Sequence, residues 1–485
     1  GYGGNAAPQV SSSRIANHSW IGDAQGAAGN SDILRRVDWL VETDEFIQCV
    51  GIKNSSTLNS PLLSSAYNVI AVGKSDGANG QGTSPIDADY TSGRTRPGIV
   101  VPLSTSSAAT PTVSASVAVL LEAGHRDPQL STDPRETSTA NRSGDTIYNA
   151  ERSEVIKAVL MAGADRATAN TGAPDITDYR LDPANRTGNG LDPRFGAGQL
   201  NIFNSYHILV AGEQNSDEAD NQGSGSIGVA GFDYAPDFGG ARGSDTTASY
   251  YFTTVSGQSQ LTATLAWNMD IDAGKQQTFS GSATLHDLDL YLYDVTTGMT
   301  LLASSTSSLD NTETLWLTLP AGNYLLRVIA KAGQGSFRWD YALAWQISDL
   351  VDTDADGIPD LYDTDDDNDA LPDASEILAG TSRVLADTDG DLVLDSTEIL
   401  AGSDPLDSTD FPVWGDIDGD GDVDTADVLL ASRAATGVIT LDSAQLARGN
   451  VAPLVNGIPQ SLPADPFNAA DLLLIIRKST GDVSF

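Results

Sequence analysis

Thr105–Pro111 reads T-S-S-A-A-T-P and runs straight into an apolar helical pattern, Val113–Leu121. A turn of small residues that opens a buried helix can hold a serine hydroxyl at the helix N-terminus. There, backbone N–H groups and the positive end of the helix dipole favour a developing negative charge. An N-capped helix with a Ser/Thr-rich lead-in has the same pattern, so the stretch alone leaves both readings open.

Working outward, residues 1–210 alternate apolar strand patterns with helical ones. The strands are Arg14–Trp20, Phe46–Gly51, Val69–Val72 and Ile99–Val101; the helices are Ser31–Val41, Val113–Ala123 and Glu154–Met161. Such alternation predicts an α/β domain with a parallel sheet covered by helices. Residues 126–150 and 165–195 are rich in Asp, Asn, Arg, Thr and Gly and predict surface loops.

The opening stretch resembles the nucleophile motif of subtilisin-like serine peptidases, G-T-S-x-A-[AT]-P. Matched on Pro111, the nucleophile position falls on Ser107, with Thr105 and Ser106 where that family has Gly and Thr. Other blocks are similar to the same family, in its order, over about residues 10–210. Ser13–Gly22 (S-R-I-A-N-H-S-W-I-G) is similar to its cleft strand, V-I-N-x-S-x-G. Phe46–Asn54 (F-I-Q-C-V-G-I-K-N) is similar to V-V-A-A-A-G-N, whose last residue helps to hold the oxyanion, here Asn54. Tyr67–Gly77, Arg94–Pro102 and Phe195–Asn201 are similar to its N-V-I-A-V-G, K-P-D-I-V-A-P and G-x-G-x-x-N blocks.

In that family the catalytic Asp and His motifs precede the cleft strand. Here Gly1–Ser12 precedes it, and neither D-[ST]-G nor H-G-T-H occurs. A serine hydroxyl without a base in hydrogen-bond reach is a poor nucleophile. His125 ends the helix that Ser107 begins, about 27 Å away at 1.5 Å per residue. His18 lies in the cleft strand at a substrate-side position; His207 and His286 lie further on. The chain therefore reads as the C-terminal portion of a subtilisin-like domain, catalytically incomplete. The family's earlier strands would pair beside Arg14–Trp20, which leaves that strand as an edge for a partner or a neighbouring copy to cover.

Twenty-six basic residues stand against 66 acidic ones, a formal charge of −40. That balance argues against nucleic acid or an anionic membrane as partner. Residues 352–427 alone hold 25 Asp and Glu and one basic residue, Arg383. A block this dense is either disordered or neutralised by cations. The single cysteine, Cys49, sits in a strand pattern and reads as a small core residue. No run of 18 apolar residues occurs, so no membrane-spanning helix is expected.

Residues 211–225 are polar and Gly/Ser-rich and predict a linker. Residues 226–348 change to a period of two, as in Leu261–Trp267 (L-T-A-T-L-A-W) and Asp287–Tyr293 (D-L-D-L-Y-L-Y). With Thr314–Leu319 and Tyr324–Ile329 they predict an antiparallel β-sandwich, similar to the one that follows the catalytic domain in several secreted subtilases.

Residues 350–411 carry acidic loops of twelve. Asp352, Asp354, Asp356, Asp360 and Asp363 occupy positions 1, 3, 5, 9 and 12, with Gly357 at 6. The second loop uses Asp365, Asp367, Asp369, Asp373 and Glu376; the third uses Asp387, Asp389, Asp391, Asp395 and Glu398. Alternate carboxylates closed by a last one form the oxygen cage that Ca²⁺ prefers. Position 6 is Ala370 in the second loop and Leu392 in the third. E-I-L-A-G recurs at 376 and 398, so the unit is an internal repeat. It resembles thrombospondin type 3 repeats.

Residues 412–485 resemble a dockerin, with Asp416, Asp418, Asp420, Asp424 and Asp427 at the same five positions and Gly421 at 6. A second half mirrors it with Asn450, Asn468 and Asp471, interrupted by an insertion around Pro453–Pro463. The resemblance implies several Ca²⁺ ions and a cohesin-like partner for this region.

These features predict a secreted or cell-surface, calcium-binding multidomain protein that works in extracellular assembly, filamentous if copies repeat head to tail. Two alternatives stay open. One is a secreted serine endopeptidase whose Asp and His lie outside this sequence; the other is an attachment module carried by the dockerin-like region.

Overall fold

A computed structural model of the chain describes residues 8–22, 26–57, 63–168, 175–176, 180, 182–218, 223–239, 245–255, 258–274, 279, 282–356, 360, 363–455, 458–459 and 466–485. Gly357 lies outside them, as does part of the 453–463 insertion. The chain forms two compact units, Gly1–Asp349 and Leu350–Phe485.

The first unit begins with a four-stranded parallel sheet: β1 (Ile15–His18), β2 (Ile47–Gly51), β3 (Ile70–Lys74) and β4 (Ile99–Val101), side by side in that order. Every residue of β2 and β3 is buried, as continuous apolar strands of a parallel sheet should be. Among the described residues the sheet is accompanied by the helices α1 (Ala27–Asp44), α2 (Ser106–Arg126), α3 (Ser153–Ala162) and α4 (Ile202–Val210). Among the described residues β1 pairs with β2 alone and forms the edge.

A β-sandwich follows. Its strands are β7 (Ala230–Phe238), β8 (Thr247–Thr254), β9 (Ser259–Ala266), β12 (Leu288–Asp294), β13 (Thr300–Ser305), β14 (Thr312–Leu319), β15 (Gly322–Ala330) and β16 (Trp339–Asp349). They form two antiparallel sheets, β13-β12-β15-β8 and β14-β9-β16-β7. Two hairpins stand apart: β5 (Ser138–Ala140) with β6 (Thr146–Tyr148), and β10 (Asp270–Ile271) with β11 (Ala283–Thr284).

The α/β layer and the sandwich share one core. All ten residues of α3 are buried, and the apolar cluster around its Val155 and Val159 runs on into Phe232, Tyr234, Ala266, Ala342 and Ala344 of the sandwich. A helix covered all round needs partners for its polar residues. Ser153 has them: its N–H donates to Glu45 Oε2 at 2.7 Å, and Asn268 Nδ2 donates to its Oγ at 3.0 Å. Lys157 Nζ donates to the Tyr67 carbonyl at 3.0 Å, and burial pulls this ammonium down to about 7. Gly163, just after α3, allows the start of α4 to approach: a Cβ there would stand 2.7 Å from Ser205 N.

The described part of 211–225 is a strap rather than a free spacer. Gln214 N–H donates to Phe232 O at 2.8 Å, Asp217 and Ser249 exchange bonds of 2.9 and 3.1 Å, and Tyr251 N–H donates to Gly225 O at 2.6 Å. Gly/Ser-rich composition cannot distinguish a loose linker from a segment that hydrogen-bonds along a sheet edge.

The second unit contains α5 (Asp373–Ala379), α6 (Asp395–Ala401), α7 (Thr425–Ala435), α8 (Ser443–Gly449) and α9 (Ala469–Ser479). Its small core joins Val393, Trp414, Ile417, Ala431, Leu441, Val451 and Ile475. The mirrored halves fold alike. Asp424 caps α7 by accepting from Ala426 N–H at 2.6 Å; Asn468 caps α9 by accepting from Ala470 N–H at 2.8 Å.

Candidate functional site

Ser107 is exposed in the first turn of α2. Thr105 caps that helix, its Oγ1 accepting from Ala108 N–H at 3.2 Å. Asn54, just beyond β2, uses its Oδ1 to accept from Ser106 N–H at 2.7 Å. Asn54 and Ser107 therefore meet at one end of α2, and among the described residues the amide N–H groups of Asn54 have no acceptor. Gly51 lets α2 sit tightly on β2, since a Cβ there would be 2.8 Å from Thr110 Oγ1.

Ser107 Oγ donates to Ser19 O at 3.1 Å, across to the segment after β1. A carbonyl cannot take its proton, so no base stands at that oxygen. The four histidines have other neighbours. His18 Nε2 faces Gln48 Oε1 at 3.1 Å, and burial holds its imidazole below the usual value. His125 Nδ1 lies 3.3 Å from Glu151 Oε2 at the far end of α2. His207 packs against Phe203 with ring centres 4.3 Å apart, and His286 stacks on Phe337 at 4.4 Å.

The acidic loops form a second candidate site. Carboxylate oxygens converge within 4.8 Å of one another in four groups: Asp352/Asp354/Asp356, Asp365/Asp367/Asp369, Asp387/Asp389/Asp391 and Asp416/Asp418/Asp427. In the third loop Asp387 accepts backbone N–H groups on both oxygens, while Asp389 and Asp391 each use one oxygen locally. Asp389 Oδ1 accepts from Asp391 N–H at 3.2 Å, and Asp391 Oδ1 accepts from Val393 N–H at 2.8 Å. The Oδ2 atoms of both are buried and have no hydrogen-bond partner, as is Asp367 Oδ2 in the second loop.

Position 12 is plainer still. Glu376 and Glu398 are 0% exposed. Neither oxygen of Glu376 has a partner, nor does Oε2 of Glu398. Burial, then neighbouring carboxylates, push both up to about 8. A buried orphan carboxylate costs several kcal/mol unless something positive meets it. The only basic side chain of this stretch, Arg383, is half exposed and reaches Asp366 at 3.6 Å and Asp373 at 3.4 Å. The donor set is all oxygen, which suits Ca²⁺.

Position 9 does something else. Asp360, Asp373 and Asp395 each accept from the N–H at position 2, Thr353, Asp366 and Thr388, at 2.8, 3.0 and 2.9 Å. They close the loops by bonding backbone. Asp363, at position 12 of the first loop, accepts from Thr364 and Asp365 N–H at 2.7 and 3.1 Å. Ala370 and Leu392, at position 6, take positive φ of 75° and 79°, where Gly421 takes 94°. The turn keeps the shape a glycine would give it, at some strain.

In the last region Asp427 accepts from Ile417 and Asp418 N–H at 2.8 and 3.1 Å, and Asp420 stands outside the converging group. Asp471 repeats the pattern of Asp427 on Val451 and Ala452 N–H at 3.0 and 2.8 Å. Asn450 caps the end of α8 and is buried beside it. Ala452 and Leu454 follow Asn450 where Asp418 and Asp420 follow Asp416, so the mirrored loop keeps the frame with fewer carboxylates. Asp366, which is 2% exposed with Oδ1 unpartnered, falls at none of the alternating positions of its loop. Its place between Asp365 and Asp367 was the available signal.

No protein-family model matches the chain, and no curated protein matches it. Among solved structures, the patellamide maturation protease PatA is similar over 42% of this chain and 65% of that one, at 18% identity and a TM-score of 0.27. The chain thus spans less than two thirds of that protein. The pre-peptidase C-terminal domain of a Bacillus anthracis collagenase is similar over 25% of this chain and 92% of that one, at 15% identity and a TM-score of 0.18. A CBM4 structure is similar over 27% and 77%, at 11% identity and a TM-score of 0.16. Likenesses this slight carry no activity over to the chain. Among the described residues no helix is long and apolar enough to cross a membrane.

Proposed function

We propose that the chain is a secreted, calcium-binding multidomain protein on a subtilisin-like scaffold that works in extracellular or cell-surface assembly. The observation that carries the reading is Glu376, fully buried with both oxygens unpartnered beside the converging Asp365, Asp367 and Asp369. Asp365, Asp367, Asp369 and Glu376 would hold one Ca²⁺; Asp387, Asp389, Asp391 and Glu398 another; Asp352, Asp354 and Asp356, and Asp416, Asp418 and Asp427, two more. The edge strand β1 supports the assembly part, since a partner strand or a neighbouring copy would cover it. Equilibrium dialysis tests the metal: several calcium ions bind per chain, and Glu376→Gln binds at least one fewer. A chain that takes up none at millimolar calcium rejects the reading.

A second reading, a serine endopeptidase, is favoured by Asn54 and Ser107 meeting at the start of α2. It needs a base supplied from elsewhere. The chain of this sequence is expected to leave casein intact and to resist a fluorophosphonate probe. Labelling that disappears in Ser107→Ala would favour the peptidase. For residues 412–485 a cohesin-like partner is supported by Leu429 and Leu473, which hold equivalent positions on α7 and α9 and are 51% and 55% exposed.

A further inference from the structure

A cavity of about 470 Å³ opens at an edge of the sandwich, between Arg180, residues 186–190 and strands β13 and β14. Its described lining includes Arg180, Arg186, Leu302, Trp316 and Leu317, and no carboxylate. In a chain of 66 acidic and 26 basic residues, a lining with two guanidiniums and no carboxylate marks a place for an anion; Asp192 acts on Arg180 from outside the lining, so Arg186 carries the charge left to meet it.

The wall that carries the arginines is firmly seated. Thr306 N–H donates to Gly188 O at 3.1 Å, and Thr314 N–H donates to Asn189 O at 3.0 Å. Gly190, at φ 76°, lies so close to Thr314 O that a Cβ would stand 1.8 Å from it. Arg180 donates to the Gly190 carbonyl, and Arg186 Nε donates to Arg180 O at 2.9 Å. The terminal nitrogens of Arg186 have no partner among the described residues.

The opposite wall is a sheet edge. β13 and β14 each end their sheet on this side. Thr314 N–H points outward from β14, to Asn189. In an antiparallel strand alternate residues turn the same way, so Trp316 presents its N–H and C=O on that outer edge too. Neither has a partner among the described residues. The lining thus combines free strand backbone, an apolar surface at Leu302 and Leu317, and two guanidiniums.

We propose that this cavity binds the C-terminal carboxylate of an extended peptide. The peptide backbone would lie beside β14 and bond to Trp316 as an added strand. Its last apolar side chain would rest on Leu302 and Leu317. Its carboxylate would meet Arg186, with Arg180 behind. Strand addition supplies main-chain bonds, and the arginines distinguish a chain end from the middle of a chain. Its lining shares no residue with the Ser107 site or the acidic loops, and the proposal depends on neither.

Calorimetric titration of the full chain tests it, with an N-acetylated tetrapeptide ending in leucine as free acid and as amide. The acid should bind and the amide bind at least about tenfold more weakly, the usual effect of losing a charge-assisted pair. Arg186→Gln should weaken the acid to the level of the amide while leaving the melting temperature unchanged. Leu302→Glu, an exposed substitution in the same wall, should weaken it as well. Equal binding of acid and amide overturns the proposal, as does no binding of either at millimolar concentration. An oligogalacturonide that binds through Arg186 where the peptide does not would assign the cavity to acidic saccharide and also overturn it.

Discussion

Chelating calcium should lower the melting temperature of the 350–485 unit by about 10 °C or more and leave the 1–349 transition where it was. Twenty-five acidic residues and one arginine occupy residues 352–427. With no cation present, the converging oxygens of the four groups repel one another at short range. Each ion that binds the folded loops and not the unfolded chain contributes about 2.7 kcal/mol when calcium is at 100 times its dissociation constant. Two such ions exceed a third of the stability of an ordinary domain, at about 5–15 kcal/mol in all. A unit of this size loses a few degrees per kcal/mol. Concentrated sodium chloride should restore part of the loss by screening, without restoring the chelated state fully. Glu376→Gln and Glu398→Gln should each fall between the calcium-loaded and chelated proteins, because each removes a buried closing carboxylate, unpartnered on both oxygens in Glu376 and on Oε2 in Glu398. Scanning calorimetry with and without chelator measures this. A C-terminal transition that ignores the chelator would remove calcium from the account.

Much of the fold could be read from the chain, for local reasons. Ile47–Gly51 and Ile70–Lys74 are continuous apolar runs, and both are fully buried strands of one parallel sheet. Leu261–Trp267 and Asp287–Tyr293 alternate, and they overlap β9 and β12. The Thr105 cap and the helix behind it follow from neighbours in sequence. What stayed hidden depends on distant partners. Ser153, Glu154 and Lys157 look like the solvent side of an amphipathic helix, yet α3 has no solvent side. The groups that hydrogen-bond these polar residues, Glu45, Asn268, Tyr67 and Asn311, come from loops and strands that no window around α3 contains. The acidic loops show a different limit. Spacing finds carboxylates but not their employment, because an Asp that closes a loop on a backbone N–H and an Asp that faces an ion recur at the same interval. Asp395 bonds Thr388, while Asp391, four residues earlier in the same loop, leaves an oxygen unpartnered.

The shared core gives the other large effect. A chain ended at residue 225 should fail to fold, and a chain of residues 8–349 should melt in one cooperative step. Ending at 225 strips Phe232, Tyr234, Ala266, Ala342 and Ala344 from the cluster that holds Val155 and Val159. It also takes Met269, Ile271 and Phe279 from Val37 and Trp39 of α1. Burying one large apolar side chain is worth about 1.5–3 kcal/mol, so uncovering half a dozen removes about 10 kcal/mol, as much as a whole domain has. Polar losses add to this. Asn68 Oδ1 would lose the Met269 N–H at 2.7 Å, Ser153 Oγ would lose Asn268 at 3.0 Å, and the buried Arg152 would lose the Tyr234 ring beneath it at 4.4 Å. A buried group left without its partner costs more than the bond itself contributed. The strap fails for the same reason, since Gln214 and Asp217 bond to Phe232 and Ser249, which the shorter chain lacks. Solubility, far-ultraviolet circular dichroism and limited proteolysis of the two chains measure the difference. If the chain ended at 225 gives a cooperative transition of its own, the two layers are separate domains that merely touch, and the single-core account falls.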